Sequence, residues 1–177
     1  MNQANPAPYQ IRKIVPADIH VLQSIARQTF YETFAEFNTP ADIQKYLDES
    51  FATEKLTKEL QDNNSEFWFA IQDEKIVGYL KINYGPAQTE INDDRAIEIE
   101  RIYVLKDFHG KNVGQVLYEK AFDIARKKKL DYIWLGVWEK NHRAQRFYIK
   151  NGFFEFAKHI FRLGNEVQTD LLMRRSV

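Results

Sequence analysis

The stretch from Glu98 to Lys129, EIERIYVLKDFHGKNVGQVLYEKAFDIARKKK, constrains the fold more than any other part of this chain. It begins as a strand with Ile97 and Ile99 on one face, and the apolar parity then changes to Ile102 and Val104. Side chains alternate along a strand with period 2, so a change of face needs an inserted residue. A β-bulge is therefore expected near Glu100 to Ile102. From Val113 onward, Val113, Val116, Leu117, Ala121, Ile124 and Ala125 recur at helical spacing. Between strand and helix lies His109-Gly110-Lys111-Asn112-Val113-Gly114. Small residues at the start of a helix leave its first amides open to an anion, where the helix dipole also favours negative charge. The turn suits a pyrophosphate. A tight strand-to-helix connection that needs glycine only for its geometry reads the same way.

Composition removes several alternatives. Lys plus Arg and Asp plus Glu each number 25, so no net field draws the chain to nucleic acid. There is no Cys, which excludes disulfides, thiolate metal sites and a Cys nucleophile. His20, His109, His142 and His159 are not paired at ligand spacing and no HExxH occurs, so no metal is expected. No apolar run approaches the roughly 20 residues that span a bilayer, so no membrane partner is expected. Residues 1–8 are Met followed by Asn, Gln, Ala and Pro, without a signal-peptide pattern. They read as a flexible tail ahead of one domain, 9–177, whose expected location is the cytoplasm and whose expected state is a monomer or homodimer.

The remaining segments fall into a regular order. Tyr9 to Val15 reads as a strand, and Pro16-Ala17-Asp18 starts a helix with Ile19, Leu22, Ile25, Phe30 and Phe34 on its apolar face. Thr39-Pro40 caps a second helix and Thr53 opens a third. Phe67 to Ile71 and Ile76 to Tyr84 are strands joined by the hairpin connection Gln72 to Lys75. Gly85 to Arg95 is a loop. Tyr132 to Val137 is an almost unbroken apolar strand, as expected inside a sheet. Asn141 to Lys150 is a short helix stopped by Asn151-Gly152, and Phe153 to Phe161 and Val167 to Arg174 form a hairpin across Gly164-Asn165. The fold class is α+β: a mixed, mostly antiparallel central sheet of about seven strands with helices on both faces.

Two candidate chemical groupings emerge from the residues alone. Glu98 and Glu100 alternate with the isoleucines and share the opposite face, where a carboxylate beside an apolar cleft can act as a base; a solvated or salt-bridged pair is the plain alternative. Glu100, nearer the bulge, is the preferred base. Asn141 is suited to cap its helix, while Ala144, Phe147 and Tyr148 form one apolar face of that helix, so Tyr148 reads either as core or as a proton donor. A triphosphatase is excluded, because Lys111 is followed by Asn and not by Ser or Thr.

The segment 109–114 resembles the acyl-CoA signature Gln/Arg-x-x-Gly-x-Gly/Ala of the GCN5-related N-acetyltransferase superfamily, with His109 and Asn112 departing from it and Gly114 matching. The run Asn141-x-x-Ala144-x-x-Phe147-Tyr148, followed by Asn151-Gly152-Phe153, is similar to a second signature of that superfamily, and the order of elements matches throughout. The resemblance implies an acetyl-CoA-dependent N-acetyltransferase. Acetyl-CoA would lie on Ile102, Tyr103 and Val104, on His109, Gly110, Lys111, Asn112, Val113 and Gly114, and on Asn141 and Lys150. Tyr148 would protonate the departing thiolate. Within the superfamily, Glu100 to Val104, Leu135 to Asn141 and Gln168 to Met173 look like the bacterial PaiA-like polyamine acetyltransferases. The implied acceptor is a small amine such as spermidine or spermine, held by acids including Glu32, Glu36 and Glu98. Acetylation of a protein N-terminus, a lysine or an amine antibiotic, and a non-catalytic acyl-CoA-binding module, remain as alternatives.

Overall fold

The computed structural model describes residues 9–163 and 166–177. The expected tail 1–8 and the Gly164-Asn165 loop lie outside the described residues. The strands are β1 (Gln10–Lys13), β2 (Ser65–Gln72), β3 (Lys75–Tyr84), β4 (Ala96–Val104), β5 (Tyr132–Trp138), β6 (Phe154–Leu163) and β7 (Glu166–Ser176). The helices are α1 (Ile19–Phe34), α2 (Pro40–Ser50), α3 (Thr53–Gln61), α4 (Val113–Lys127) and α5 (His142–Lys150). All seven strands form one sheet in the order β1-β2-β3-β4-β5-β7-β6. Every neighbouring pair is antiparallel except β4 and β5. The mixed sheet with helices on both faces is as expected.

Local chemistry explains most boundaries. Thr39 caps α2 by accepting from the Asp42 amide at 3.2 Å, with Pro40 in the first turn where a missing N–H costs nothing. The β2–β3 hairpin turns through Asp73 (φ 47) and Glu74 (φ 63), both left-handed, which matches the twist of the strands it joins. The inserted residue in β4 is Glu100. Lys81 pairs with Arg101 and Ile82 with Ile99, leaving Glu100 without a partner on β3.

The sheet separates two cores. On one face Leu80, Ile82, Ile97, Ile133 and Leu135 pack with Leu117 and Ala121 of α4 and Tyr148 of α5. On the other face Phe67, Phe69 and Tyr79 pack with Leu22 and Phe30 of α1, Ile43 and Leu47 of α2, and Phe51 and Leu56. A fully buried side chain of this kind contributes about 1.5–3 kcal/mol.

The parallel pairing of β4 with β5 is short. It comprises Ala96 with Tyr132, Ile97 with Ile133 and Glu98 with Trp134, and the strands part beyond that point. From Arg101 to Val104, β4 is paired only with β3, so its other edge has backbone donors and acceptors available to a ligand.

The closest approach in this region is at Gly78, where a Cβ would stand 2.8 Å from the Tyr103 carbonyl oxygen and 3.2 and 3.3 Å from Leu117 and Val113. Gly78→Ala should destabilise the fold by about 1–3 kcal/mol, because backbone and helix must both shift. The urea unfolding midpoint measures this, and an unchanged midpoint would show that β3 and α4 are not held this closely.

Candidate active site

Two cavities meet where β4 and β5 part. One, of about 310 Å³, lies on the α4 and α5 side. Its walls are the end of β4 from Ile102 to Val104, the turn into α4, and Asn141, Arg143, Phe147, Tyr148 and Lys150 of α5 and its cap. In the turn, Gly110 has φ 76 with nothing within 4 Å of where a Cβ would stand. Asn112 has φ 70 and occupies the N-cap of α4 in the left-handed conformation, which Asn tolerates better than most residues. The first helical bond runs from the Val116 amide to the Asn112 carbonyl at 3.2 Å. The amides of Val113, Gly114 and Gln115 therefore have no partner within the helix and face the end where an anion is stabilised.

Two other residues of the turn hold it in place. The His109 Nε2 lies 2.8 Å from the Val104 carbonyl oxygen. Burial pulls the imidazole pKa down, with Arg143 adding to the effect, so the neutral ring donates there and pins the turn to the end of β4. Lys111 departs from its expected place. Its amide donates to the Phe108 carbonyl at 3.3 Å, its carbonyl accepts from the Tyr9 hydroxyl at 2.8 Å, and its ammonium lies over the Phe108 ring at 5.0 Å. Lys111 lines neither cavity; its bonds brace the loop from outside.

The second cavity, of about 380 Å³, lies on the opposite face. Phe30 and Phe34 of α1 and Tyr46 of α2 wall it on one side, and Trp134, Gly136, Trp138 and Leu172 form its floor. Glu90, Glu98, Glu100 and Asp170 bring carboxylates to its lining. Ile102, Tyr103, Asn141, Ala144 and Tyr148 line both cavities. Tyr148 is buried, and burial pushes its phenol pKa up against a smaller opposing pull from Arg143. It is protonated at neutral pH and able to donate. The Asn141 side chain accepts from the Ala144 amide at 3.1 Å, fixing the start of α5 at the junction.

The two central carboxylates sit in opposite environments. Glu98 is 3% exposed. It accepts from the Thr89 amide at 2.9 Å, the Thr89 hydroxyl at 2.5 Å and the Asn83 amide group at 3.0 Å. Burial raises its pKa, and these neutral donors oppose the rise only in part. Glu100 is ion-paired to Lys81 at 2.5 Å and Arg101 at 2.9 Å, and accepts from Asn83 at 2.6 Å. Burial pushes it up, but Arg101 and Lys81 outweigh that and hold it at about 2. Glu59 of α3 completes the cluster, 3.0 Å from Lys81 and 2.8 Å from Arg101.

Comparison with known proteins fits this geometry. Residues 27–153 match the model of the acetyltransferase (GNAT) family. The chain belongs to that family. An uncharacterised N-acetyltransferase from Lactobacillus delbrueckii subsp. lactis is 36% identical over 168 residues, covering 95% of this chain and 97% of the relative. A spermidine N(1)-acetyltransferase from Thermoplasma acidophilum is 28% identical over 148 residues, covering 81% and 87%. The crystal structure of the PaiA N-acetyltransferase of Thermoplasma acidophilum with coenzyme A superposes with a TM-score of 0.79 at 24% identity, covering 97% of this chain and 100% of that one, and shares its fold. This GNAT protein is an acetyl-CoA-dependent N-acetyltransferase.

Among the expected acceptor residues of this acetyltransferase, Glu32 and Glu36 line neither cavity. Phe30 and Phe34, four apart, take the cavity face of α1, so residues offset by two turn away. Glu32 instead accepts from the Lys106 amide at 2.8 Å, and Glu36 is exposed. Arg143 and Asp170 reach the cavities without having been singled out. Arg143 sits in the run between Asn141 and Ala144, so the second signature held its position. Asp170 sits in the stretch Gln168 to Met173 that resembles the PaiA-like enzymes, but nothing there marked the acid itself, and the pairing of β5 with β7 brings it beside Trp138. Among the described residues no group of three His, Asp or Glu is placed to hold a metal, and no helix is long and apolar enough to cross a membrane.

The Glu100 cluster predicts a pH-dependent stability. Glu100→Gln leaves Lys81 and Arg101, with side chains 5% and 11% exposed, short of a countercharge. The loss at pH 7 should be about 3 kcal/mol. Because the folded pKa is about 2 against an ordinary value of 4.5, the wild-type advantage is complete above about pH 4.5 and vanishes as pH falls to about 2. Denaturant unfolding of both proteins across that range tests this; a gap independent of pH would remove the ion cluster as its cause.

Proposed function

We propose that this enzyme acetylates a small primary amine, with a polyamine such as spermidine or spermine as the favoured acceptor. The observation that carries the reading is a cavity with carboxylates and aromatic walls that opens onto the cofactor cleft at Tyr148. Carboxylates attract ammonium groups, and the aromatic faces offer both apolar contact and cation–π attraction to a methylene chain bearing charge. The likeness to a spermidine N(1)-acetyltransferase supports the same acceptor class.

Acetyl-CoA supplies the acetyl group as a thioester. The cleft fits it on three counts: free amides at the start of α4 for the diphosphate, the unpaired edge of β4 for an amide-bearing arm, and Lys150 and Arg143 as cations in the lining. Glu98 takes the role of base in place of Glu100. A carboxylate clamped at about 2 by two cations holds a proton poorly, whereas Glu98 has its proton affinity raised by burial. Its carboxylate accepts a proton from the ammonium nitrogen of the acceptor. The Tyr148 hydroxyl donates its proton to the departing sulfur. Asn141, through its bond to Ala144, fixes the helix that carries Tyr148.

Tyr148→Phe keeps the ring and removes only the donor. Turnover should fall by about 10²–10⁴-fold with acetyl-CoA affinity unchanged. Glu98→Gln should lower turnover on the same scale, and in the wild type activity should decline as falling pH protonates Glu98. Steady-state kinetics with calorimetric acetyl-CoA binding check both, and wild-type turnover in either variant would reassign that role.

The acceptor class is tested by specificity constants for spermidine, a monoamine of equal length and a lysine peptide at low and high salt. Spermidine should be preferred at low salt, and its Michaelis constant should rise with salt while that of the monoamine changes little, since charge attraction is screened. Equal constants for spermidine and the monoamine at low salt would overturn the polyamine reading.

A further inference from the structure

We propose that Asp170 and the slot beside it form the subsite for the second ammonium of the acceptor, and that this subsite sets the preference for a polyamine over a monoamine; the proposal rests on the amine-acceptor reading above. Trp134, Gly136 and Trp138 are alternate residues of β5 and share one face of the sheet. Gly136 has no side chain and is exposed to the cavity, so a gap opens between the two indoles. Asp170 is the register partner of Trp138 on β7. Its Oδ2 lies 3.7 Å from where a Gly136 Cβ would stand, which places the carboxylate at the edge of that gap.

The Asp170 carboxylate is the acid of the cavity without a protein partner. Glu98 is held by Thr89 and Asn83, Glu100 by Lys81 and Arg101, and Glu90 by His159 through an Nδ1 to Oε1 contact of 3.2 Å. Among the described residues no hydrogen bond or ion pair reaches the Asp170 carboxylate. The titratable groups around it are His159 on β6, Glu90 from the loop before β4, and Glu139 beyond the end of β5. Burial raises the carboxyl pKa, His159 opposes the rise, and the two glutamates add to it. A carboxylate so placed gains from a cation that arrives with a ligand.

The two indoles that flank the gap differ in their hydrogen bonding. Trp138 is 7% exposed, and its indole N–H has no hydrogen-bond partner. By contrast, the Trp134 N–H donates to the Gln88 side chain at 2.6 Å.

The spacing suits an acceptor with nitrogens at both ends of a methylene chain. Glu98 is level with Trp134 and Asp170 with Trp138, with β5 between them. Strand geometry then separates their Cα atoms by about 15 Å. One carboxylate serves the reacting nitrogen near Tyr148 and the other receives the far ammonium, with the indoles bordering the chain between.

The test uses Asp170→Asn, which keeps side-chain shape and removes the charge, with Glu36→Gln as an exposed-acid control outside the cavity. Specificity constants and calorimetric binding are measured with spermidine and with a monoamine of equal length, and thermal unfolding confirms that each variant is folded. In the wild type spermidine should be preferred. Asp170→Asn should raise the spermidine Michaelis and dissociation constants at least about tenfold and leave the monoamine values unchanged, while Glu36→Gln changes neither. A wild-type preference that survives in Asp170→Asn would overturn the subsite alone. Equal constants and equal binding for the two amines in the wild type would overturn the polyamine reading and this subsite with it.

Discussion

The rest of the molecule depends on one inserted residue in β4. With Glu100 unpaired on the β3 side, the strand changes which face its later side chains present, and beyond Glu98 it no longer pairs with β5. A continuous sheet would wall off one face from the other. The gap instead joins a cleft built by α4 and α5 to a cavity built by α1, α2 and β7, with Tyr148 lining both. Bulges commonly bend a strand and end pairing beside active sites. Here the bulged residue is also anchored, because its carboxylate is gripped by Lys81 and Arg101.

That anchoring gives two nearby carboxylates different charge surroundings. Glu98 and Glu100 share the Asn83 side-chain amide as a donor, and the Ser65 hydroxyl in turn donates to the Asn83 carbonyl oxygen at 2.8 Å. What separates them is the sign of the nearest charges. Two cations beside Glu100 stabilise its ionised form, whereas Glu98 has only neutral donors, which offset the effect of burial in part. The same backbone irregularity that opens the sheet therefore also sets the proton affinities at the opening.

The cavity on the α1 and α2 side is walled by aromatic packing across elements far apart in sequence. Phe30 stacks on Tyr46 with centroids 4.3 Å apart and an interplanar angle of 9°. Phe34 and Phe37 reach the Trp138 ring at 5.8 and 5.1 Å. Gln168 of β7 donates to the Asn38 side chain at 3.2 Å, tying the segment between α1 and α2 to the far strand.

Features set by near neighbours were legible in the chain. The parity change at Ile99 to Ile102 located the bulge, the spacing from Val113 located α4, and Thr39 and Asn141 marked helix starts. These follow from steric and hydrogen-bonding rules acting over a few residues. The placement of β7 between β5 and β6 and the arrival of Asp170 beside Trp138 were decided only by the tertiary structure. So were the surroundings of Glu98 and Glu100, because Lys81, which clamps Glu100, and Glu59, which shares its cations, come from β3 and α3. Alternation along β4 puts both glutamates on one face. Which charges surround each of them is a property of strands and helices that meet only in the folded chain.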